Sequence, residues 1–171
     1  KASVTSILNP QGRIVSTAFV FKWGESFILI LNNEVRDKLI AWLSRFILRS
    51  KVEITKSDDS IFGLNQEHAK KLCSVINVEA KDIGFESDEL CLKIIDADDE
   101  RVFLVTKSEN FLDDFSISTL STKDWKMADI NVGIPTIYKE NIEKFIPQMV
   151  NLDLINGISF SKGCYTGQEI V

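Results

Sequence analysis

One histidine, three cysteines and three prolines in 171 residues leave several chemistries without material. A single histidine cannot build a His-rich zinc site, and a Cys–His nucleophile pair would have to use His68. Cys73, Cys91 and Cys164 are odd in number and widely spaced, which matches neither a disulfide framework nor a CxxC metal knuckle, so reduced thiols and no metal centre are expected. No apolar run approaches the ~18 residues of a membrane span. The opening KASVTSILNPQG lacks the charged start, apolar stretch and small-residue cleavage site of a signal peptide. A cytoplasmic location and no membrane partner are the expectation. Walker loops, GxGxxG, internal repeats and low-complexity tracts are also missing.

What is present suffices for a core: 44% of the residues are hydrophobic, enough for one large domain or two small ones. The net charge of -5 is unevenly divided, since residues 1–51 carry eight of the 20 Lys and Arg but three of the 25 acids. A basic half could face phosphate. Arg36, Lys38, Arg45 and Arg49 read more simply as the solvated face of one helix, because no aromatic interleaving accompanies them. The acidic remainder argues against direct nucleic-acid binding.

Alternating VTSIL and IVSTAFVF flank NPQGR, whose Pro10 and Gly12 mark a turn, and KWGES separates the second strand from FILIL. An antiparallel meander is predicted. Asn33 can cap a helix over 34–48, with Val35, Leu39, Trp42, Leu43, Phe46 and Ile47 at helical spacing and charges arranged as the helix dipole favours. VEIT reads as a short strand and KSDDS as a boundary. IFGL, a helix opened by Asn65, the strands LCLKII and RVFLV around an acidic turn DADDE, and a short helix SENFLDDF capped by Ser108 follow. Thr122 can cap a helix carrying Trp125, which Gly133 and Pro135 stop. The fold class is α+β with antiparallel sheet, divided into 1–55, 56–135 and a loop-rich 136–171.

Cys73 and Cys91 sit at apolar spacings and read as buried small hydrophobes. Cys164 differs: in SKGCYTGQEIV it is flanked by glycine and polar residues, with Lys162 as a candidate cation to lower its pKa. A reactive or ligand-facing thiol and a tight turn with an incidental thiol remain equally open on composition. Tyr165, Gln168 and Glu169 offer an aromatic face, an amide and a carboxylate, which suits a flat heterocycle or an internal loop brace. Trp125 alone reads as core. The run Asp96, Asp98, Asp99, Glu100 is too short for an EF-hand and reads as a solvated hairpin turn.

KGCYTGQE, taken with FIPQMVNLDLINGISF before it, WKMADINVGIP and LNPQGRI, resembles the YgfZ family of folate-binding proteins tied to tRNA modification. That family is related to the glycine-cleavage T-protein and to mitochondrial iron–sulfur assembly factors. The resemblance implies an aminomethyltransferase folate-binding type of fold. It also implies that the chain is a central fragment, preceded by a segment that completes the folate site and followed by a C-terminal β-barrel absent here. Residues 52–120 support only the order of elements.

Carried over by position, the resemblance makes Trp125 a folate-binding residue, reversing its reading as core. Cys164 becomes the functional thiol, set among Lys162, Gly163, Tyr165, Gly167, Gln168 and Glu169, with Arg13 at the end of the QGR turn. Tetrahydrofolate or a one-carbon derivative is the implied ligand, held between two α+β units, and iron–sulfur tRNA-modifying enzymes are the implied partners, with a possible influence on replication initiation. Where the aminomethyltransferase relatives carry an acidic pair after the glycine turn, this chain has Ser16 and Thr17. A hydroxyl cannot stabilise an iminium-like cation as a carboxylate does, which argues against glycine cleavage. An accessory factor is expected, and the alternative is a one-carbon transferase with Cys164 as nucleophile and Glu169 as base.

Overall fold

The alternation of the first thirty residues produces three strands, β1 (Ser3–Leu8), β2 (Ile14–Trp23) and β3 (Ser26–Ile30), in the order β1-β2-β3. The computed structural model describes residues 1–79, 84–95 and 101–171, so the acidic turn read at Asp96, Asp98, Asp99 and Glu100 lies outside the described residues. The turn between β1 and β2 closes on Asn9. Its carbonyl accepts from the Gly12 N–H at 3.0 Å, and its side-chain oxygen accepts from the Gln11 and Arg13 N–H groups at 3.0 and 2.9 Å. Pro10 supplies the fixed φ of a turn corner and Gly12, at φ +67, the left-handed residue that returns the chain to β2.

Helix α1 (Asn33–Ser44) is capped by Asn32, one residue earlier than expected, whose side chain accepts from the Glu34 N–H at 2.8 Å. Only Val35 and Leu39 are buried, and the helix stops at Ser44 instead of 48. Its last N–H groups tighten to three-residue bonds, Phe46 to Leu43 and Ile47 to Ser44, and Leu48 follows at φ +37 and 89% exposed. Without a core to receive them, the distal apolar residues do not sustain the helix. VEIT is not a strand: Val52, Glu53 and Thr55 are exposed and no strand pairs with the segment.

The second sheet comprises β4 (Ser60–Asn65), β5 (Leu90–Ile94) and β6 (Arg101–Thr106) in the order β4-β6-β5, antiparallel throughout. Between β4 and β5 lies α2 (Gln66–Val75), capped by the Asn65 side chain on the His68 N–H at 2.8 Å. The period-2 rule sorts the sheet cleanly. Leu64, Leu92, Val102 and Leu104 share one face and form a buried cluster with Ala69, Leu72 and Cys73 of α2. Gly63, opposite Phe103, and Asn65, opposite Arg101, point to the other face.

The helix expected at SENFLDDF is absent. Residues 108–115 form successive turns, Phe111 N–H to Ser108, Asp113 to Asn110 and Phe115 to Leu112, which carry Phe111, Leu112 and Phe115 to the buried cluster. Eight residues are too few to offset helix nucleation when the aromatic side chains are already satisfied by packing. Helix α3 (Thr122–Asn131) is capped by Ser121 on the Asp124 N–H at 3.1 Å, one residue before the expected Thr122, and Gly133 follows it at φ +74.

Contacts divide the chain into two compact units. Unit 1 is Lys1–Ser3, Val20–Ile28 and Asp58–Val132; unit 2 is Val4–Phe19, Leu29–Ser57 and Gly133–Val171. The units interleave in sequence, since each of β1, β2 and β3 contributes some residues to one unit and the rest to the other. Among the described residues the architecture is mixed α and β, with two three-stranded antiparallel sheets, three α-helices and no closed barrel.

Candidate functional site

In unit 2 the NPQGR turn and the KGCYTGQE loop lie against each other backbone to backbone. Gly167 has φ +82, and a Cβ built on it would stand 2.5 Å from the Asn9 carbonyl oxygen and 2.8 Å from the Gly12 backbone. A Cβ on Gly12 would meet Ile170 at 2.6 Å. Both positions therefore need glycine for conformation and for space. Gly163 has no such constraint, for a Cβ there would meet nothing within 4 Å.

Within the loop, the Lys162 ammonium stands 4.3 Å from the centroid of the Tyr165 ring. The Gln168 side-chain oxygen accepts from the Tyr165 N–H at 3.4 Å while the Gln168 N–H donates to the Tyr165 carbonyl at 3.2 Å, so this amide braces the loop. Cys164 is exposed and reduced, and Glu169 is exposed. Among the described residues no hydrogen bond joins the Glu169 carboxylate to the Cys164 thiol. Arg13 is exposed, and its guanidinium donates to the Lys144 carbonyl at 3.1 Å, tying the turn to the segment that leads into the loop. Ser16 and Thr17 are buried: the Ser16 hydroxyl donates to the Thr17 carbonyl, and the Thr17 hydroxyl accepts from the Ile137 N–H at 3.2 Å. Both hydroxyls are thus engaged with backbone.

A groove of about 370 Å³ opens in unit 2, lined by Thr5, Trp42, Phe46, Ser159, Lys162 and Tyr165 among others. Trp42 and Phe46 meet edge to face with centroids 5.7 Å apart, and the Arg45 guanidinium lies 5.3 Å from the Trp42 ring. The sequence placed Trp42 and Phe46 in the apolar stripe of α1 without singling either out. The signal that separates them is the change along the α1 stripe from aliphatic Val35 and Leu39, which are buried, to aromatic Trp42 and Phe46, which are not. Arg36 on the same helix pairs with Asp37 at 2.9 Å and donates to the Asn33 side chain at 2.7 Å.

Trp125 belongs to unit 1, where it is half-buried on the sheet face away from α2. Gly63 makes room for it: a Cβ there would overlap Cε3 and Cζ3 of the indole. Phe103 packs at a centroid distance of 4.7 Å and the Arg101 guanidinium lies 4.3 Å from the ring centroid. Cys73 and Cys91 are buried as expected. Burial raises the Cys73 thiol pKa and pushes that of Cys91 up to about 11, because a thiolate there would lose its hydration. Among the described residues no group of three or more His, Cys, Asp or Glu could hold a metal ion, and no helix is long and apolar enough to cross a membrane.

These features define a mixed α and β protein of two compact units with antiparallel sheet, one unit presenting a thiol loop locked onto a hairpin turn and the other a seated tryptophan. No family model matches the chain. Curated proteins do match. The chain is 33% identical to the tRNA-modifying protein YgfZ of Buchnera aphidicola subsp. Schizaphis graminum over 95% of its own length and 54% of that protein's. It is 32% identical to the tRNA-modifying protein YgfZ of Hamiltonella defensa, over 95% and 52%. With that of Pectobacterium atrosepticum the identity is 33%, over 94% and 51%. The chain is thus similar along about 95% of its length to proteins of the YgfZ family, and it spans about half the length of the curated relatives it matches.

Proposed function

We propose that this protein is a folate-binding accessory factor in tRNA modification, acting in the cytoplasm to support iron–sulfur enzymes and, through them, replication initiation. The observation that carries the tRNA assignment is the similarity along about 95% of the chain to relatives named tRNA-modifying protein YgfZ. The folate assignment is supported by chemistry. A flat heterocycle with paired donors and acceptors and an anionic tail asks for aromatic faces, hydroxyls and a cation, which are the groups lining the groove in unit 2. Its volume of about 370 Å³ lies within the ~300–1,000 Å³ range of small-molecule sites. Trp125 offers a half-buried indole in unit 1 on the same chemical grounds.

In this reading Trp125 offers its indole as a stacking face in unit 1, while in unit 2 Tyr165 and Gln168 shape a polar edge and Lys162 and Arg13 supply positive charge. Gly163 leaves open space beside the thiol and Gly167 fixes the loop. When bound, the folate supplies a one-carbon carrier, and Cys164 supplies an accessible thiol for sulfur, cluster or one-carbon handling. An aminomethyl transfer lacks its carboxylate, since Ser16 and Thr17 are buried and bonded to backbone.

The test has two arms. Tetrahydrofolate titrated calorimetrically into the protein should bind, and Trp125→Ala should weaken it about 5- to 150-fold, as expected for the ~1–3 kcal/mol of an aromatic stack. Cys164→Ala should retain folate binding while lowering thiolated tRNA in cells. Absence of heat from the unchanged protein would end the folate reading. Normal tRNA modification with Cys164→Ala would end the role given to the thiol.

A further inference from the structure

Helix α3 is docked in an unusual way. Its one buried residue is charged, Asp129, whereas Met127 and Ile130 are 51% and 71% exposed. The partner of Asp129 is Arg101 of β6, joined to it at 2.8 Å, with the two side chains only 9% and 5% exposed. A second N–H of the same guanidinium donates to the Trp125 backbone carbonyl at 2.8 Å, and the guanidinium carbon lies 4.3 Å from the indole centroid. One planar cation therefore holds three parts of one helix: a carboxylate, a carbonyl and a ring.

A buried ion pair is an expensive way to dock a helix, and an aliphatic pair of the same volume is often as stabilising. What the pair adds is direction. The guanidinium fork fixes bond angles that an aliphatic contact would leave loose. Gly63 and Phe103 complete the seat, the first by leaving space under Cε3 and Cζ3 and the second by contact at 4.7 Å. All of these groups act on the one large side chain of α3 that remains half exposed.

We propose that Arg101 and Asp129 are positioning residues whose buried pair locks the Trp125 indole in one orientation, making its exposed part a rigid platform for a planar ligand. Identifying that ligand as a folate rests on the functional reading above, while the lock rests on the geometry alone. Rigidity matters because a platform already in place does not lose rotamer entropy on binding. Arg101→Lys keeps the charge but cannot make both bonds and lie over the ring, so it should free the indole with little change in fold.

With Trp23→Phe and Trp42→Phe making Trp125 the sole tryptophan, Arg101→Lys should raise acrylamide quenching about twofold and reduce the near-ultraviolet circular dichroism. With Trp23 and Trp42 restored, the same substitution should weaken tetrahydrofolate at least about fivefold. If Arg101→Lys fails to fold, Arg101→Met with Asp129→Leu replaces the pair by apolar volume and is read in the same ways. A folded variant whose Trp125 signals match the parent overturns the lock. A folded variant with a freed indole and unchanged affinity overturns the platform. If the parent itself takes up no tetrahydrofolate, the folate reading falls alone, and the quenching and dichroism still decide the lock.

Discussion

A cation sits over an aromatic ring in each unit, and the two distances are the same. Arg101 lies 4.3 Å from the Trp125 centroid and Lys162 lies 4.3 Å from the Tyr165 centroid. Their surroundings differ in every other respect. The Arg101 guanidinium is desolvated, bonded to a carboxylate and a carbonyl, and backed by a sheet. The Lys162 side chain is exposed on a loop with water as an alternative partner. Water screens the second pair and leaves the first almost undiminished, so equal geometry gives unequal stiffness. Unit 1 holds the Trp125 indole by charge on a side chain. Unit 2 instead holds its loop mainly by backbone, through Gly12 against Gly167 with the Gln168 amide as an internal brace, and leaves Lys162 and Cys164 exposed.

The comparison breaks most readily at Gly167. Gly167→Ala adds a left-handed penalty of about 1–3 kcal/mol and an overpacked Cβ of similar cost, so denaturant unfolding should lose about 2–6 kcal/mol. A loss under about 1 kcal/mol would mean that the loop lifts off the turn freely. The counterpart in unit 1, Gly63→Ala, should cost about 1–3 kcal/mol by crowding the indole, with Trp125 emission shifted in the same sample.

Thiol titration gives a smaller effect that distinguishes the units. At neutral pH one thiol, Cys164, should react rapidly with a disulfide reagent, and Cys73 and Cys91 only after unfolding. The buried Cys91 has its folded pKa raised to about 11, so the folded state holds a proton that the unfolded chain releases. Its contribution is therefore complete below the ordinary thiol range and is lost as pH rises toward about 11. Cys91→Ala should flatten that alkaline decline in stability. The smallest effect belongs to Lys162→Met, for which an exposed cation–ring contact predicts a change within about 1 kcal/mol. A larger loss would show that the loop depends on its side chains after all.

Local physics explains which elements were legible. The NPQGR turn, the Asn65 cap, the β5–β6 pair and the burial of Cys73 and Cys91 follow from residues within a few positions of one another or from plain alternation. The failures came where a short apolar segment had two ways to be satisfied. Residues 108–115 packed Phe111, Leu112 and Phe115 through turns without forming a helix, and VEIT found no strand to pair with. The α1 stripe misled for the same reason, since helical spacing gives the face of Trp42 and Phe46 but not what that face meets.

The motif residues Lys162 to Glu169, Trp125 and the NPQGR turn were readable as a set of chemical groups and as a resemblance, because composition and spacing are properties of the chain. Residue type alone also determined the reduced thiols, the Asn65 cap and the left-handed turn glycine. Which turn Gly167 would lie against, whether the Gln168 amide would brace its own loop, and that Arg101 would be buried beneath Trp125 were decided only by tertiary structure. Those outcomes depend on atoms far apart in sequence sharing a few ångströms, and sequence spacing does not encode that proximity.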